Sequence, residues 1–300
     1  MTARAKRKTF LSVFLAKTKH AIWAVAGIET KRRTMSQTIH SYASLTRDLE
    51  RSGIRRQDTL LVHSSMKSIG QVEGRADTVL DVLSDYLRDE GLLVFPTLTW
   101  SNVNAEQPVF SVRDTPSVVG ILPELFRQRP GVHRSRHPTH SVAALGRDAE
   151  AFVEGHERFD SPAALGSPWE RLRQRRAKIM FIGAGIASNT FLHGVEEWGQ
   201  AAHILSDTPQ QLIVIDEAGR RHSVPSRRHI GNHSRYYACL EPHFEAIGAL
   251  SRVRFGDANT TILDAEPCAV FVLALLKRFP AAFTLEWNQA NPNFFADVLP

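Results

Sequence analysis

Residues 184–199 read AGIASNTFLHGVEEWG and follow an apolar run, IMFI, that is typical of a buried strand. Asn189 and Thr190 are residue types found where helices begin, and residues three apart on a helix share a face. We therefore expect His193 and Glu196 to project together at the carboxyl edge of a strand, where open α/β sheets bind ligands. A histidine held by a carboxylate can accept a proton near neutral pH. An exposed ion pair on a helix surface is the alternative that this spacing allows.

Outward from this stretch, short apolar runs alternate with amphipathic segments. Strands are expected at residues 59–63, 92–96, 142–145 and 179–182, with a hairpin at 211–224. Helices are expected from residue 44, at 76–89, 116–126, 147–158 and 166–172, and near 235–249 and 266–278. Strand, helix and strand in succession indicate parallel pairing, so the sequence predicts an α/β fold with a mostly parallel central sheet.

The charge of the chain is unevenly distributed. The formal net charge is +6, but residues 1–34 hold nine Lys or Arg and one Glu and so carry +8, which leaves −2 for residues 35–300. The excess of positive charge therefore belongs to an N-terminal arm. It does not indicate a nucleic-acid partner for the globular part.

The basic arm, residues 1–34, allows three interpretations. It could form an amphipathic helix at a membrane surface, it could be disordered, or translation could begin at Met35 and leave the arm untranslated. The globular pattern begins only after the arm. We therefore favour a dispensable arm followed by one globular domain, residues 35–300.

Two features bear on the cellular compartment. Cys239 and Cys268 lie in separate segments and form no CxxC pair, which fits a reducing cytoplasm. No apolar run is long enough to span a bilayer. We expect a cytoplasmic protein without integral membrane association.

Two further segments have the composition of anion sites. The loop at residues 63–70, HSSMKSIG, follows a predicted strand and precedes a helix, where backbone amides and hydroxyls favour phosphate, although it lacks the glycine spacing of a P-loop. Residues 134–141, RSRHPTHS, gather side chains suited to a diphosphate or a 3′-phosphate. A metal site there is disfavoured, because Pro138 interrupts the helix that HxxxHxxH would need. His229 and His233 could also suggest a metal site, and the alternative is that they belong to a polar loop.

Seven phrases of the chain, in matching order and spacing, resemble the aminoglycoside 3-N-acetyltransferase family, also called the antibiotic N-acetyltransferase family. They are LLVHSSMKSIG (60–70), EGRADTVLDVL (73–83), GLLVFPTLTW (91–100), TPSVVGILPELF (115–126), RSRHPTHSVAALG (134–146), GSPWERL (166–172) and NTFLHGVEE (189–197). The resemblance covers roughly residues 40–270.

The resemblance implies a three-layer α/β/α core, distinct from the GNAT acetyltransferases, with a smaller C-terminal region on the acceptor side. Residues 35–300 would be the acetyltransferase domain, with acetyl-CoA as cosubstrate, a small amine as acceptor and no metal. The residues implied in CoA binding are His63, Ser64, Ser65, Lys67, Ser68, Gly70, Arg134, Arg136, His137 and Ser141. The resemblance does not decide whether the protein forms a homodimer.

The resemblance also makes His193 the general base of a direct acetyl transfer to a primary amine, with Thr190 as a further catalytic candidate. Glu196 or Glu197 is the acid that orients the base, since spacing does not separate these neighbours. The developing oxyanion needs a backbone or hydroxyl donor. The candidate hydroxyls are those of Ser64, Ser65, Thr190 and Ser141.

The acceptor implied by the resemblance is the 3-amino group of an aminoglycoside, a polycation around which acidic side chains are expected. The chain departs from the family pattern at Arg75, where a second glycine is usual, and over residues 220–237. Two alternatives therefore stay open. One is the same chemistry on another amine, such as an amino sugar or a biosynthetic intermediate, and the other is a noncatalytic CoA-binding protein.

Overall fold

The structure, a computed structural model, describes residues 38–297 of the 300-residue chain. Its strands are β1 (Ile39–His40), β2 (Thr59–Ser64), β3 (Gln71–Val72), β4 (Leu92–Pro96), β5 (Val109–Ser111), β6 (His133–Arg134), β7 (Val142–Gly146), β8 (Lys178–Ile182), β9 (Gln210–Ile215), β10 (Arg221–Ser226), β11 (Leu250–Phe255) and β12 (Ala258–Asp264). Its α-helices are α1 (Tyr42–Arg51), α2 (Arg75–Leu87), α3 (Ile121–Phe126), α4 (Ala149–Val153), α5 (Pro168–Gln174), α6 (Thr190–Trp198), α7 (Glu241–Ala246), α8 (Ala265–Arg278), α9 (Leu285–Ala290) and α10 (Phe294–Asp297). Short 3₁₀ helices span Met66–Ile69, His156–Arg158, Ile186–Ser188 and His233–Leu240. The predicted arm, residues 1–34, lies outside the described residues.

Seven strands form the central sheet in the order β11-β12-β8-β2-β4-β7-β6. β2 pairs in parallel with β4 and β8, and the other four pairings are antiparallel. The prediction of a mostly parallel sheet is therefore wrong, and the sheet is mixed. The difference arises because β7 runs opposite to β4, and because the hairpin β11–β12, which the sequence analysis missed, adds two antiparallel pairings beside β8.

Helices cover both faces of this sheet. Alternate residues of β2 point to opposite sides, so that Leu61 joins one apolar core while Leu60 and Val62 join the other. Residues of α5, α6 and α8 complete the first core, and residues of α1, α2 and α3 complete the second. The predicted α/β class is confirmed.

β10, β9 and β5 form a separate three-stranded sheet with its own apolar core. β9 and β10 are the predicted hairpin, and Phe110 on β5 packs in this core with Leu212 and Val214 on β9. The chain after β10 reaches α6, where the Tyr237 hydroxyl hydrogen-bonds Glu196. The small sheet therefore leads directly into the wall of the site described below.

The carboxyl ends of β2 and β8 lie side by side, because these parallel strands pair Ser64 with Ile182. The chain then turns at Gly183, whose φ of +61° favours glycine and whose missing Cβ leaves room for Ser68. The 3₁₀ helix Ile186–Ser188 leads into α6, which begins at the predicted place. This strand–turn–helix unit presents the first turn of α6 beside the loop that follows β2.

Three predicted helices are shorter than expected. Residues 116–126 hold only α3, which begins after Gly120 with its φ of +113°. Residues 147–158 hold α4 and a separate 3₁₀ turn, because Gly155 with a φ of +77° interrupts them. Residues 235–249 hold the end of a 3₁₀ helix and then α7, which starts afresh with Pro242 in its first turn. None of the helices in residues 38–297 has the length and apolar character needed to cross a bilayer.

Candidate active site

The first turn of α6 carries His193, whose ring is held by a buried carboxylate. His193 Nδ1 lies 2.9 Å from Oε2 of Glu196, three residues further along the helix. The Tyr237 hydroxyl lies 2.7 Å from the same nitrogen and donates to the same carboxylate oxygen. His233 Nδ1 donates to Glu196 Oε1 at 2.8 Å. The predicted contact between His193 and Glu196 is thus present, within a network of four side chains that we call the base network.

The base network keeps Glu196 ionised. Burial raises the pKa of Glu196, but hydrogen bonds from His193 and His233 outweigh burial and hold the pKa at about 2. Burial and the charge of Glu196 raise the pKa of Tyr237 well above its ordinary value, so this hydroxyl remains a donor. Because an ionised carboxylate only accepts hydrogen bonds, His193 Nδ1 carries the ring proton and Nε2 keeps a free lone pair.

A cavity of about 440 Å³ opens beside His193. Its walls come from the end of β2, from residues 96–100, 119–123 and 139–140, from the start of α6 and from residues 228–234. Within residues 38–297 no hydrogen bond engages His193 Nε2. The site therefore offers a base, held in one tautomer, in a cavity large enough for a small ligand.

Glu197, the other candidate acid, holds a different part of the structure. Its carboxylate accepts hydrogen bonds from Ser161 Oγ at 2.6 Å and from the Ala163 amide at 2.9 Å, and it lies 2.6 Å from His229 Nε2. Burial raises the pKa of Glu197 to about 7 despite these donors. The carboxylate that pairs with His193 is therefore Glu196.

Two more histidines surround the ring of His193. The His229 ring stacks on it with centroids 4.7 Å apart, and His140 meets His229 edge-on at 4.8 Å. Burial and the neighbouring histidines lower the pKa of both His140 and His229 well below the ordinary value, so both rings are neutral near pH 7. No group of three or more His, Cys, Asp or Glu in the described part of the chain is arranged to hold a metal ion.

The cavity wall has an unexpected charge. Arg228 lines the cavity, whereas no Asp or Glu between residues 38 and 297 does so. Apolar side chains such as Leu98, Trp100 and Val119 form much of the remaining surface. The acidic surroundings expected for a polycationic acceptor are thus missing from the described cavity wall.

The first segment predicted to bind CoA meets the cavity through its first two residues. His63 and Ser64 line the cavity, and so does Thr190 opposite them on α6. Burial lowers the pKa of His63 to about 3, so the ring is neutral. The other predicted residues of this loop lie around the 3₁₀ helix and do not line the cavity: Ser65, Lys67, Ser68 and Gly70.

The second predicted segment reaches the cavity through residues other than those expected. Thr139 and His140 line it, whereas His137 turns inward and its Nδ1 accepts a hydrogen bond from the His140 amide at 3.0 Å. The remaining predicted residues of this segment do not line the cavity either: Arg134, Arg136 and Ser141.

These three side chains have partners within the protein. Arg134 Nη2 and Ser141 Oγ both donate to the Thr97 carbonyl, at 2.9 and 2.8 Å. Arg136 forms an ion pair with Glu217 at 2.9 Å. A basic, hydroxyl-rich segment resembles a phosphate site in sequence, but here two of its polar groups hold the backbone of a neighbouring strand end.

Tyr237 and Arg228 are site residues that the sequence did not predict, and His229 and His233 were expected only as metal or loop residues. Their segment, RRHIGNHSRYY, is visibly rich in arginine and histidine. Nothing local relates it to α6, because Tyr237 lies 41 residues beyond Glu196 in the chain. Only the tertiary fold brings this segment to the base.

A family model described as aminoglycoside 3-N-acetyltransferase matches residues 61–277. The chain belongs to this family. The match contains the strand–turn–helix unit, the base network and every segment of the cavity wall. The resemblance drawn from the seven sequence phrases is confirmed.

Curated relatives in this aminoglycoside 3-N-acetyltransferase family are distant. Aminoglycoside N(3)-acetyltransferase VII of Streptomyces paromomycinus is 32% identical over 191 residues, 57% of this chain and 65% of that protein. Aminoglycoside N(3)-acetyltransferase IX of Micromonospora chalcea is 29% identical over 283 residues, 81% of this chain and 99% of that protein. The chain thus spans a little under two thirds of the Streptomyces relative.

Solved structures of family members share the fold. AAC-IIIb in a binary complex with CoASH superposes with a TM-score of 0.72 at 22% identity, over 82% of this chain and 99% of that one. AAC(3)-Xa superposes with a TM-score of 0.71 at 26% identity, over 81% and 94% of the two chains. The arrangement of helices and strands described above is therefore that of the family.

Proposed function

We propose that the protein transfers the acetyl group of acetyl-CoA directly to a primary amine, with His193 as general base. The observation that carries this proposal is the free Nε2 of His193 beside the cavity, while Glu196 holds Nδ1. A primary amine is largely protonated at neutral pH and becomes nucleophilic only when a base removes a proton. The names of the relatives and the CoASH complex of AAC-IIIb support acetyl-CoA as the donor.

The chemistry balances with the groups present. The ammonium first loses one proton to solvent through His193 Nε2. The amine nitrogen then bonds to the thioester carbon while Nε2 takes a second proton, and the carbon–sulfur bond breaks to release the CoA thiolate, which receives this second proton. The ionised Glu196 stabilises the imidazolium that forms in between. Neither Cys239 nor Cys268 lines the cavity, which favours direct transfer over an acetyl-enzyme.

Ser64 and Thr190 are the proposed donors to the developing oxyanion. Both line the cavity, and Ser64 Oγ is buried with no hydrogen-bond partner in the described part of the chain. The hydroxyls of Ser65 and Ser141 are engaged in internal hydrogen bonds. Lys67 is exposed on the loop after β2 and stays a proposed contact of the CoA phosphates.

Two acceptors are candidates. The names of the relatives make the 3-amino group of an aminoglycoside the first candidate. A different amine, such as an amino sugar, is the second. The cavity favours the second candidate, because its described wall carries no carboxylate to receive the ammonium groups of a polycation.

Release of CoA from acetyl-CoA, followed with a thiol reagent over a panel of aminoglycosides and amino sugars, tests the proposed function. We expect His193→Gln to lose about 10²-fold or more in kcat, the usual contribution of a general base. Its dissociation constant for acetyl-CoA, measured by calorimetry, should not change.

The matched control is His133→Gln, since His133 lies on β6 away from the cavity. Equal turnover in the two variants would remove His193 from the mechanism. Binding of acetyl-CoA without CoA release on any amine would identify a noncatalytic CoA-binding protein.

A further inference from the structure

The second strand of the hairpin β9–β10 and the residues after it are strongly basic. Residues 218–240 contain five Arg, three His and no Asp or Glu. Arg220 and Arg227 each form an ion pair with an aspartate, at 2.8 and 3.3 Å. Arg228 has no carboxylate partner within residues 38–297, so its charge is not compensated by the described protein.

The guanidinium of Arg228 is oriented by neutral groups. Its Nη2 donates to the Trp100 carbonyl at 2.7 Å, and its Nη1 donates to the Val103 carbonyl at 3.5 Å. An arginine has five N–H donors, so the others are available to a ligand. Because Arg228 lines the same cavity as His193, a ligand that reaches the base also meets this cation.

The acidic groups near His193 cannot neutralise the positive charges of a polycationic acceptor. Glu196 is fully buried, and both its oxygens accept hydrogen bonds within the base network. Glu197 accepts hydrogen bonds from Ser161 and Ala163 and lies behind His229, whose ring lines the cavity, and neither carboxylate lines the cavity itself. An aminoglycoside would therefore bring several ammonium groups towards Arg228 with no carboxylate in the wall to receive them.

We propose that the acceptor is a small amine that also carries a compact anion, a carboxylate or a phosphate, and that Arg228 binds this anion. The inference rests on the proposed acetyl transfer and names the class of its acceptor. A guanidinium presents paired N–H donors that match either anion. Arg228 is thus a specificity-determining residue, and the reacting amine lies between it and His193.

The size of the cavity agrees with this class. At about 440 Å³ it lies in the lower half of the range of roughly 300–1,000 Å³ that small-molecule sites occupy. It has to admit the acetyl end of acetyl-CoA as well as the amine. A cavity of this volume holds one sugar ring with one anionic substituent beside the acetyl group.

The phosphates of CoA are a second source of the same anionic chemistry, and kinetics separates the two sources. If Arg228 binds the acceptor, its substitution raises the KM of the anionic acceptor and leaves the KM of acetyl-CoA unchanged. If it binds CoA, the KM of acetyl-CoA rises with every acceptor.

The test compares four acceptors at saturating acetyl-CoA in the full chain. Glucosamine 6-phosphate and muramic acid carry one amine and one anion, glucosamine carries the amine alone, and gentamicin is a polycation. We expect kcat/KM for at least one anionic acceptor to exceed the values for glucosamine and gentamicin by tenfold or more.

Variants of Arg228 complete the test. Arg228→Gln should lower the preference for the anionic acceptor over glucosamine, measured as the ratio of their kcat/KM values, tenfold or more. Arg228→Lys should restore part of this preference because it keeps the charge. Arg221→Gln is the matched control, since Arg221 is exposed on β10 and does not line the cavity. Thermal unfolding of each variant shows whether a loss reflects the fold instead.

Preference for gentamicin, or equal kcat/KM for glucosamine and both anionic acceptors, would overturn this inference and leave the proposed acetyl transfer standing. A higher KM for acetyl-CoA in Arg228→Gln, with the acceptor KM unchanged, would assign Arg228 to CoA and overturn the inference. Absence of CoA release with all four acceptors, while calorimetry shows acetyl-CoA binding, would count against the proposed function and this inference together.

Discussion

At the residue scale, the proposed acetyl transfer depends on which nitrogen of His193 holds the proton. Glu196 accepts from Nδ1 and is itself held by Tyr237 and His233, so the carboxylate cannot turn away from the ring. The free Nε2 follows from the hydrogen bond between Nδ1 and Glu196, whose carboxylate Tyr237 and His233 hold in place. A residue that never meets the substrate can therefore control the rate.

Tyr237→Phe tests this control. The change removes one donor to Glu196 and keeps the buried ring. We expect kcat to fall about tenfold, equivalent to about 1.4 kcal/mol in the barrier, with the KM values unchanged. Steady-state kinetics with the best acceptor of the panel measures both values.

The control for Tyr237→Phe is its neighbour. Tyr236 stacks on Phe295 and makes no hydrogen bond to Glu196, so Tyr236→Phe should keep the wild-type kcat. A purely structural role for Tyr237 would instead lower thermal stability and leave kcat per folded molecule intact, which would contradict the positioning role.

At the element scale, the turn between β8 and α6 connects the base to the loop after β2. Gly183 adopts a φ of +61°, and a Cβ at this position would lie 2.2 Å from the Cβ of Ser68. Gly185, two residues later, has open space where its Cβ would be and a φ of −87°. The two glycines therefore form a matched pair for substitution.

Gly183→Ala should push the loop at residues 65–70 away from β8. We expect a loss of roughly 1–3 kcal/mol in the free energy of unfolding, because the change adds volume at a packed site and strains the backbone. Urea unfolding measures this loss, and a rise in the KM of acetyl-CoA should accompany it.

Gly185→Ala should be close to neutral in the same experiment, and Ser68→Gly added to Gly183→Ala should recover part of the stability by removing the Cβ that clashes. If both single glycine variants unfold alike, the close contact with Ser68 does not determine the position of the loop.

Whether the sequence predicts a strand depends on how much of that strand is buried. β2, β4 and β8 are continuous apolar runs because both their faces are covered, and the sequence analysis located all three. β11 has exposed residues such as Arg252 and Arg254 beside the buried Phe255, and it lies at the edge of the sheet, so its apolar pattern is weak. The direction of β7 beside β4 depends on how a long connection folds, which no local pattern contains.

The residues of the site also differ in whether a local sequence pattern predicts them. His193 and Glu196 are three residues apart on one helix, so spacing alone predicted their contact. Tyr237 and His233 reach the base network from the 3₁₀ helix His233–Leu240, and Arg228 reaches the cavity from the segment after β10. No local pattern relates them to α6. The internal partners of Arg134 were not predictable for a related reason, because they are backbone carbonyls that sequence does not reveal.

At the scale of the whole molecule, the stability of the chain is linked to pH through Glu197. Burial raises the pKa of this carboxyl from 4.5 to about 7. Below pH 4.5 it is protonated in the folded and the unfolded chain, and between pH 4.5 and 7 the unfolded chain releases the proton first. Its contribution to stability is therefore lost as pH rises through this window, by roughly 3 kcal/mol at most.

Glu197→Gln is neutral at every pH and should lack this loss. We expect the free energy of unfolding, measured with urea at pH 5 and pH 8, to fall less between these values in Glu197→Gln than in the wild-type chain. Glu286→Gln, a change at an exposed position on α9, should behave as wild type. The same pH dependence in all three chains would show that Glu197 ionises normally in the folded protein.

The part of the cavity wall that carries Arg228 lies close in the chain to residues of the base network, and this closeness has an evolutionary consequence. Arg228 precedes the 3₁₀ helix His233–Leu240 by only a few residues, and that helix carries both His233 and Tyr237. An insertion or deletion that reshapes the wall for a new amine also displaces the two donors that hold Glu196. If the proposed acetyl transfer holds, descendants of this chain should acquire new substrates through single replacements at positions such as Arg228, while the length of the segment between β10 and Tyr237 stays constant.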